Sequence, residues 1–224
     1  ILGIAGVAGN GQRELAEVVT GLRPLTGGSV TVRGTDCTGH NPRGMIEAGI
    51  SHVPGDRLGV GLAGNLPIAD NLAMRSYRKP PLSRGPFLDR RQMTTKAVDL
   101  IETYGVSTPG PHTPARNLSG GNQQKAILAR EITAGSMVEG GAVLVAAYPT
   151  RGLDVGAIES VRSHLLAERR RGTAVLLISE DLDELMTMAD RVAVLHGGEV
   201  MGVVNPATTS IEELGLLMAG ERQV

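Results

Sequence analysis

Residues 118–125 read Leu118-Ser119-Gly120-Gly121-Asn122-Gln123-Gln124-Lys125. A serine and two glycines stand at the head of a segment whose apolar residues, Ile127, Leu128 and Ile132, recur with helical spacing, which predicts a helix N-terminus. Ser119 takes the N-cap position, and the backbone N–H groups just beyond it have no partner within the helix. Such groups, at the positive end of the helix dipole, make a seat for an anion. A serine cap followed by glycines is also common in ordinary helices, so these rules alone leave both uses of the stretch open.

Outward from there, short apolar runs alternate with amphipathic segments, the pattern of a mostly parallel sheet covered by helices. Residues 1–5 read as a buried strand, 6–11 as a glycine-rich turn, and 12–22 as a helix with Leu15, Val18, Val19 and Leu22 on one face. Residues 29–33 alternate around Val30 and Val32 as an antiparallel strand, and 50–53 form another strand closed by Pro54-Gly55. The texture then changes. From 56 to 117 the chain is rich in Gly and Pro, with a short helix near 68–74 and a longer one that Asp89 and Gln92 begin and Gly105 ends. No strand-like run occurs in this region, so it reads as a helical insertion into the sheet domain. The alternation resumes with a strand at 142–147, a helix at 155–170, a strand at 173–179 and a helix at 181–188. A hairpin turning at Gly197-Gly198 and a helix from Ser210 close the chain. The expected organisation is an α/β core of residues 1–55 and 126–224, with a helical unit at 56–125.

Composition narrows the classes. A chain of 224 residues, 41% apolar, with a mean hydropathy of +0.01, can bury the core of one large domain. No apolar run approaches the roughly 20 residues of a membrane span, and no signal-peptide pattern is present. A net charge of −1, no Trp, three Tyr and one Phe argue against a nucleic-acid partner. The lone Cys37 excludes an intramolecular disulfide. The histidines (His40, His52, His112, His164, His196) lack metal-ligand spacing. The run Arg169-Arg170-Arg171 closes a helix, where cations favour the dipole. The chain opens on Ile1, already inside a strand-like run, which predicts a piece of a longer polypeptide.

Gly6-Val7-Ala8-Gly9-Asn10-Gly11, between a strand and a helix, has the glycine spacing of a phosphate-binding loop, whose N–H groups wrap a phosphate. The pattern then breaks. Gln12 stands where the lysine should follow, Arg13 where a Ser or Thr should hold Mg²⁺, and Glu14 adds a negative charge.

LSGGNQQK, together with GVAGNGQREL, VPGDR, FLDR, PTRGLDVGA and a closing GLLMAG, resembles the second nucleotide-binding half of the tandem ATPase subunit of bacterial ABC importers for sugars and nucleosides. The resemblance covers nearly the whole chain. Gly215 to Gly220 point toward the nucleoside branch. It implies a P-loop NTPase core with an inserted helical subdomain, on the cytoplasmic face of a membrane and docked on permease subunits, with an extracytoplasmic solute-binding protein as an indirect partner. It implies a further strand before Ile1 that bears an adenine-stacking aromatic. It also implies that Leu118, Ser119, Gly120, Gly121, Asn122 and Gln123 act on the γ-phosphate of an ATP, with its Mg²⁺, held by the partner half. Leu153 and Asp154 match the family's D-loop, and Asp56 and Arg57 stand in its Q-loop, where Gly55 departs from the usual glutamate and the glutamine is absent.

The same resemblance marks what is missing. The metal-positioning aspartate and the catalytic glutamate correspond to Ala147 and Tyr148, and the switch histidine corresponds to Glu180. Alanine holds no metal, and a phenol of pKa about 10 is no base at neutral pH. Tyr148 reads as a packing residue at a strand end, and Asp183 and Glu184 read as a solvated, dipole-favourable first turn. Phosphoryl transfer depends on positive charge around the phosphates, and here Glu14 and Glu180 oppose Arg13. The expectation is a catalytically silent half that completes its partner's site, with no metal of its own. The alternatives are an ATPase that recruits Asp154 or Asp181 to metal, and a soluble ABC protein outside transport.

Overall fold

A computed structural model describes residues 1–136 and 142–221. In chain order the elements are β1 (Leu2–Ala5), α1 (Gln12–Val19), β2 (Thr31–Val32), β3 (Thr35–Asp36), α2 (Pro42–Glu47), β4 (Ile50–Val53), α3 (Ile68–Ala73), β5 (Ser83–Arg84), β6 (Phe87–Leu88) and α4 (Arg90–Thr103). They continue with α5 (Gly120–Gly135), β7 (Val143–Ala147), α6 (Val155–Arg170), β8 (Ala174–Ile178), α7 (Leu182–Met188), β9 (Arg191–His196), β10 (Glu199–Val204) and α8 (Ile211–Met218). Six strands form one sheet in the order β10-β9-β1-β8-β7-β4, parallel except for β10, which returns antiparallel to β9.

The strands are apolar on both faces because helices cover both. Along β7, Leu144 and Ala146 pack into one core while Val145 and Ala147 pack into the other. The first core takes in Ile127 and Leu128 of α5, Val161 and Leu165 of α6, and Leu214 and Leu217 of α8. The second is smaller and holds Ala16 of α1, Met45 of α2, and Cys37. Each fully buried leucine or isoleucine contributes roughly 1.5–3 kcal/mol.

Caps mark several helix starts. Asp89 accepts from the Gln92 N–H at 3.0 Å, and Ser210 with Glu213 forms a reciprocal capping box. Gly105, at φ +60°, ends the turn after α4, a left-handed position suited to glycine.

The structure refines several expectations. The insertion contains strands after all: β5 and β6 pair as a two-residue hairpin, too short to carry an alternating pattern. The strand expected at 29–33 is only Thr31–Val32, paired with β3, and α1 stops at Val19. The helix α5 runs without a break across residues 125 and 126, where the helical unit is expected to join the core. Arg169 and Arg170 do lie in the last turn of α6, as the dipole reading expects, and Arg169 and Arg171 also pair with Asp190 and Glu168.

Parallel pairing brings the carboxyl ends of β1, β4, β7 and β8 to one edge of the sheet. The loops that leave this edge are the glycine-rich turn 6–11, the 54–57 segment, the 148–154 segment and the 179–181 turn. In an open parallel sheet that edge is where ligands bind.

Candidate functional site

The turn after β1 ends at Gly11, the N-cap of α1, at φ +106° and without a side-chain cap. Gln12 fills the turn instead. Its side chain is buried; Oε1 accepts the Asn10 N–H at 3.1 Å, and Nε2 donates to the Val7 carbonyl at 3.0 Å. The β9–β10 turn clamps the loop from outside: the Gly197 N–H donates to Asn10 Oδ1 at 2.8 Å and the Gly198 N–H to the Asn10 carbonyl at 3.2 Å. Arg13 turns along the helix surface, where Nε donates to Glu17 at 2.7 Å. Gly9, Arg13 and Glu14 are exposed, and Gly6 is buried.

At the end of β7, Ala147 is buried and Tyr148 adopts φ +49°, a left-handed conformation that tyrosine rarely takes. The backbone holds it there: the Tyr148 N–H donates to the Ile178 carbonyl at 2.7 Å, and its ring packs beside Gly55. Burial first, then the charge of Glu180, raises the phenol above its ordinary pKa, with Arg151 opposing. Tyr148 is therefore neutral at physiological pH. Glu180 is exposed at the same edge.

Glu184 corrects the expectation of a solvated first turn. It has no exposure at all; Ser179 Oγ donates to it at 2.7 Å and Arg162 Nε approaches at 3.4 Å. A capped helix start and an internal carboxylate look alike in sequence. Asp183 is exposed. Asp181 caps α7 by accepting the Glu184 N–H, and Asp154 caps α6 by accepting the Ala157 N–H at 2.9 Å. Both carboxylates considered for metal are thus engaged as caps. Among the described residues, no group of three or more His, Cys, Asp or Glu is placed to hold a metal.

The start of α5 is built differently from that of α1. Ser119 occupies the N-cap position but makes no capping hydrogen bond. Its Oγ instead accepts from Asn122 Nδ2 at 2.9 Å, which leaves the hydroxyl hydrogen free to donate. Leu118 is buried, and the buried Gln123 side chain donates to the Ala115 and Leu118 carbonyls, holding the chain that enters the helix. Gly121 lies against α6, where an added Cβ would stand 2.9 Å from Ala157 Cβ. A Cβ on Gly120 would meet Arg57 at 3.4 Å and Leu153 at 3.8 Å.

Arg57 joins these pieces. Its Nη1 donates to the Arg151 carbonyl at 2.8 Å, so the 54–57 loop, the 148–154 loop and the head of α5 meet at one guanidinium. Asp56 caps the π-helical turn Arg57–Gly61 by accepting the Gly59 N–H at 2.8 Å. A cleft of about 1110 Å³ opens between this turn and α1, with Arg13, His52, Arg57, Tyr148 and Arg151 on its walls. Nothing in the local sequence around Arg57 signalled its partners, which lie far along the chain.

A protein-family model described as ABC transporter matches residues 1–138. The chain belongs to the ABC transporter family. It is 49% identical over 223 residues to the guanosine import ATP-binding protein NupO of Bacillus subtilis (strain 168), covering 100% of this chain and 43% of that protein. It is 46% identical over 224 residues to the glucose import ATP-binding protein TsgD13 of Haloferax volcanii, covering 98% of this chain and 40% of that one. The chain thus spans less than half the length of these curated relatives. Its fold matches a dimeric ATP-binding cassette solved in a post-hydrolysis state with ADP and phosphate, at a TM-score of 0.75 and 18% identity, over 92% of this chain and 85% of that one. The fold is that of the P-loop ABC ATPases, a mostly parallel sheet flanked by helices.

Membership in the ABC family implies a nucleotide ligand, ordinarily with Mg²⁺. The residues at this chain's own phosphate loop do not fit that pair. A carboxamide lies where the loop's N–H groups would face phosphate, Arg13 points along α1, and Ala147 has no ligand atom. The head of α5 does fit an anion: no side chain caps its N–H groups, and an oriented hydroxyl stands beside them.

Proposed function

We propose that this chain is a catalytically silent nucleotide-binding half of an ABC importer for a nucleoside or simple sugar. It supplies Leu118 to Gln123 to the ATP site of a partner half and couples that site to a membrane permease. The observation that carries the reading is the contrast between an uncapped α5 N-terminus and a sheet edge that bears Ala147 and Tyr148. Bound on the partner, ATP with its Mg²⁺ supplies the phosphoryl group. The Ser119 hydroxyl and the first N–H groups of α5 hold a phosphate oxygen, and Gly121 lets α5 and α6 stay close beneath them.

Residues 1–55 and 126–224 act as the ATP-binding core and 56–125 as the signature-bearing helical unit, with α5 as the rigid member that crosses between them. Asp56 and Arg57, with Leu153 and Asp154, form the joint that relays movement, supported by the hydrogen bond from Arg57 to the Arg151 carbonyl. The chain sits on the cytoplasmic face of the membrane, with the extracytoplasmic solute-binding protein an indirect partner. Among the described residues no helix is long and apolar enough to cross a membrane.

Phosphate release from this chain at saturating Mg-ATP tests the silent site. The expected outcome is no turnover above background, for want of a base and a metal seat. A rate of about 1 per second, ordinary for an enzyme, would remove the reading.

A further inference from the structure

Gln12 is the first residue of α1, a place from which side chains commonly reach solvent, yet it is only 2% exposed. A carboxamide has an acceptor end and a donor end, and both are engaged with the backbone of the turn that precedes it. The acceptor oxygen takes the Asn10 N–H at 3.1 Å, nearer than the Val7 carbonyl that shares it at 3.3 Å, and this N–H is one of the loop groups that an anion would use. The amide also lies close over the first glycine: a Cβ on Gly6 would stand 2.4 Å from Nε2. From the far side, the Gly197–Gly198 turn holds the side chain and the carbonyl of Asn10. The loop is therefore filled from within and fastened from without.

We propose that Gln12 is a built-in occupant of the phosphate loop, a neutral stand-in for an anion that keeps this chain's own cradle closed. The inference rests on the silent-half reading and deepens it. A site that has lost only its base and metal ligand still binds phosphate; an occupied loop resists the binding itself. A ligand that needs the open loop sees its affinity reduced by the fraction that is open. Two hydrogen bonds of ordinary strength favour the closed form by roughly tenfold to a hundredfold. The contrary possibility is that Gln12 swings outward and serves as a phosphate ligand in place of lysine. The two differ in the sign of one measurement.

The probe is inorganic pyrophosphate, titrated calorimetrically into the 224-residue chain and its Gln12→Ala variant, with thermal melts to verify folding. Occupancy by Gln12 predicts that Gln12→Ala binds pyrophosphate about tenfold tighter than the parent. Equal or weaker binding by Gln12→Ala, or none, overturns the proposal. Exchange of the Asn10 amide hydrogen is the second measurement and needs no ligand. It should quicken by about tenfold in Gln12→Ala, and an unchanged rate overturns the proposal too. Should the alanine variant fail to fold, Gln12→Met keeps the volume and removes both hydrogen bonds, and the expectation for Asn10 exchange carries over to it. The two readings fail separately. Phosphate release from Mg-ATP by the parent chain sinks the silent site, whereas tight pyrophosphate binding by the parent, weakened in Gln12→Ala, sinks only the occupant.

Discussion

The starts of α1 and α5 share local features: glycines stand at each helix start, before α1 and in the first turn of α5, and neither N-cap residue makes a side-chain cap. Their surroundings set them apart. Before α1, Gln12 folds back on the loop and the β9–β10 turn fastens it. Before α5, the Asn122 amide donates to the Ser119 hydroxyl and accepts the Ser107 N–H, so the serine is oriented and Ser119 places no cap on the helix N–H groups. A helix N-terminus attracts anions only while nothing in its own chain has taken the place. The comparison therefore assigns opposite roles to two motifs that share the same local physics.

The most forceful way to break that assignment is to block the open turn. In the assembly proposed above, Ser119→Arg would put a long cation where the small hydroxyl is proposed to approach phosphate. Gly121→Asp adds a Cβ where Ala157 stands 2.9 Å away and a charge close to Asp154. Removing such donors costs on the order of 100-fold or more, so ATP turnover and solute uptake should fall by at least that much. Tyr148→Phe and Glu180→Ala should stay within a few-fold of the parent, roughly the scatter of surface changes. Active signature variants beside a dead Tyr148→Phe would reverse the roles.

A smaller effect probes the closed turn. Gly6→Ala brings a Cβ within 2.7 Å of the Leu195 carbonyl, a backbone atom that cannot easily yield, as well as 2.4 Å from Gln12. Gly9→Ala meets nothing within 4 Å and suffers only from its positive φ of +91°. Gly6→Ala should therefore destabilise by about 2 kcal/mol or more and Gly9→Ala by about 1 kcal/mol, read from denaturant midpoints. Equal losses would mean that the first glycine is not pressed between Gln12 and β9.

The weakest effect concerns the joint between the two regions. The His52 N–H on β4 donates to Glu131 on α5, and the ring is held below its usual pKa mainly by burial, with Glu131 opposing. As pH falls through about 6.5, the unfolded chain takes up the proton first, so stability is intact above that pH and declines below it. The slope for one such group is bounded by about 1.4 kcal/mol per pH unit. Denaturation at pH 7.5 and 5.5 should register a decline that His52→Gln reduces; an equal decline in both proteins would place its cause elsewhere.

The order of strands and helices was legible because it rests on local signals. Apolar runs at β1, β4, β7 and β8, the helix starts at Asp89 and Ser210, and glycine stops such as Gly105 each act within a few residues. The β5–β6 hairpin was not legible, since two-residue strands carry no periodicity. Within the site, the changes at Gln12, Arg13, Ala147, Tyr148 and Glu180 could be read from the sequence, but the conformations they adopt could not.

By itself the sequence determined the parallel α/β frame, the places where the chain turns, and which chemical groups stand at each carboxyl strand end. Periodicity, capping and side-chain chemistry are properties of neighbouring residues. Tertiary structure alone decided that Gln12 fills its own loop and that Glu184 is an internal carboxylate rather than a solvated one. It also decided that Arg57 reaches the Arg151 carbonyl beside Gly120. The Arg57 contact joins residues 94 positions apart, and the β9–β10 turn reaches Asn10 from 187 positions away. Whether a backbone N–H is free or covered depends on what the rest of the fold brings against it, and no local rule contains that information.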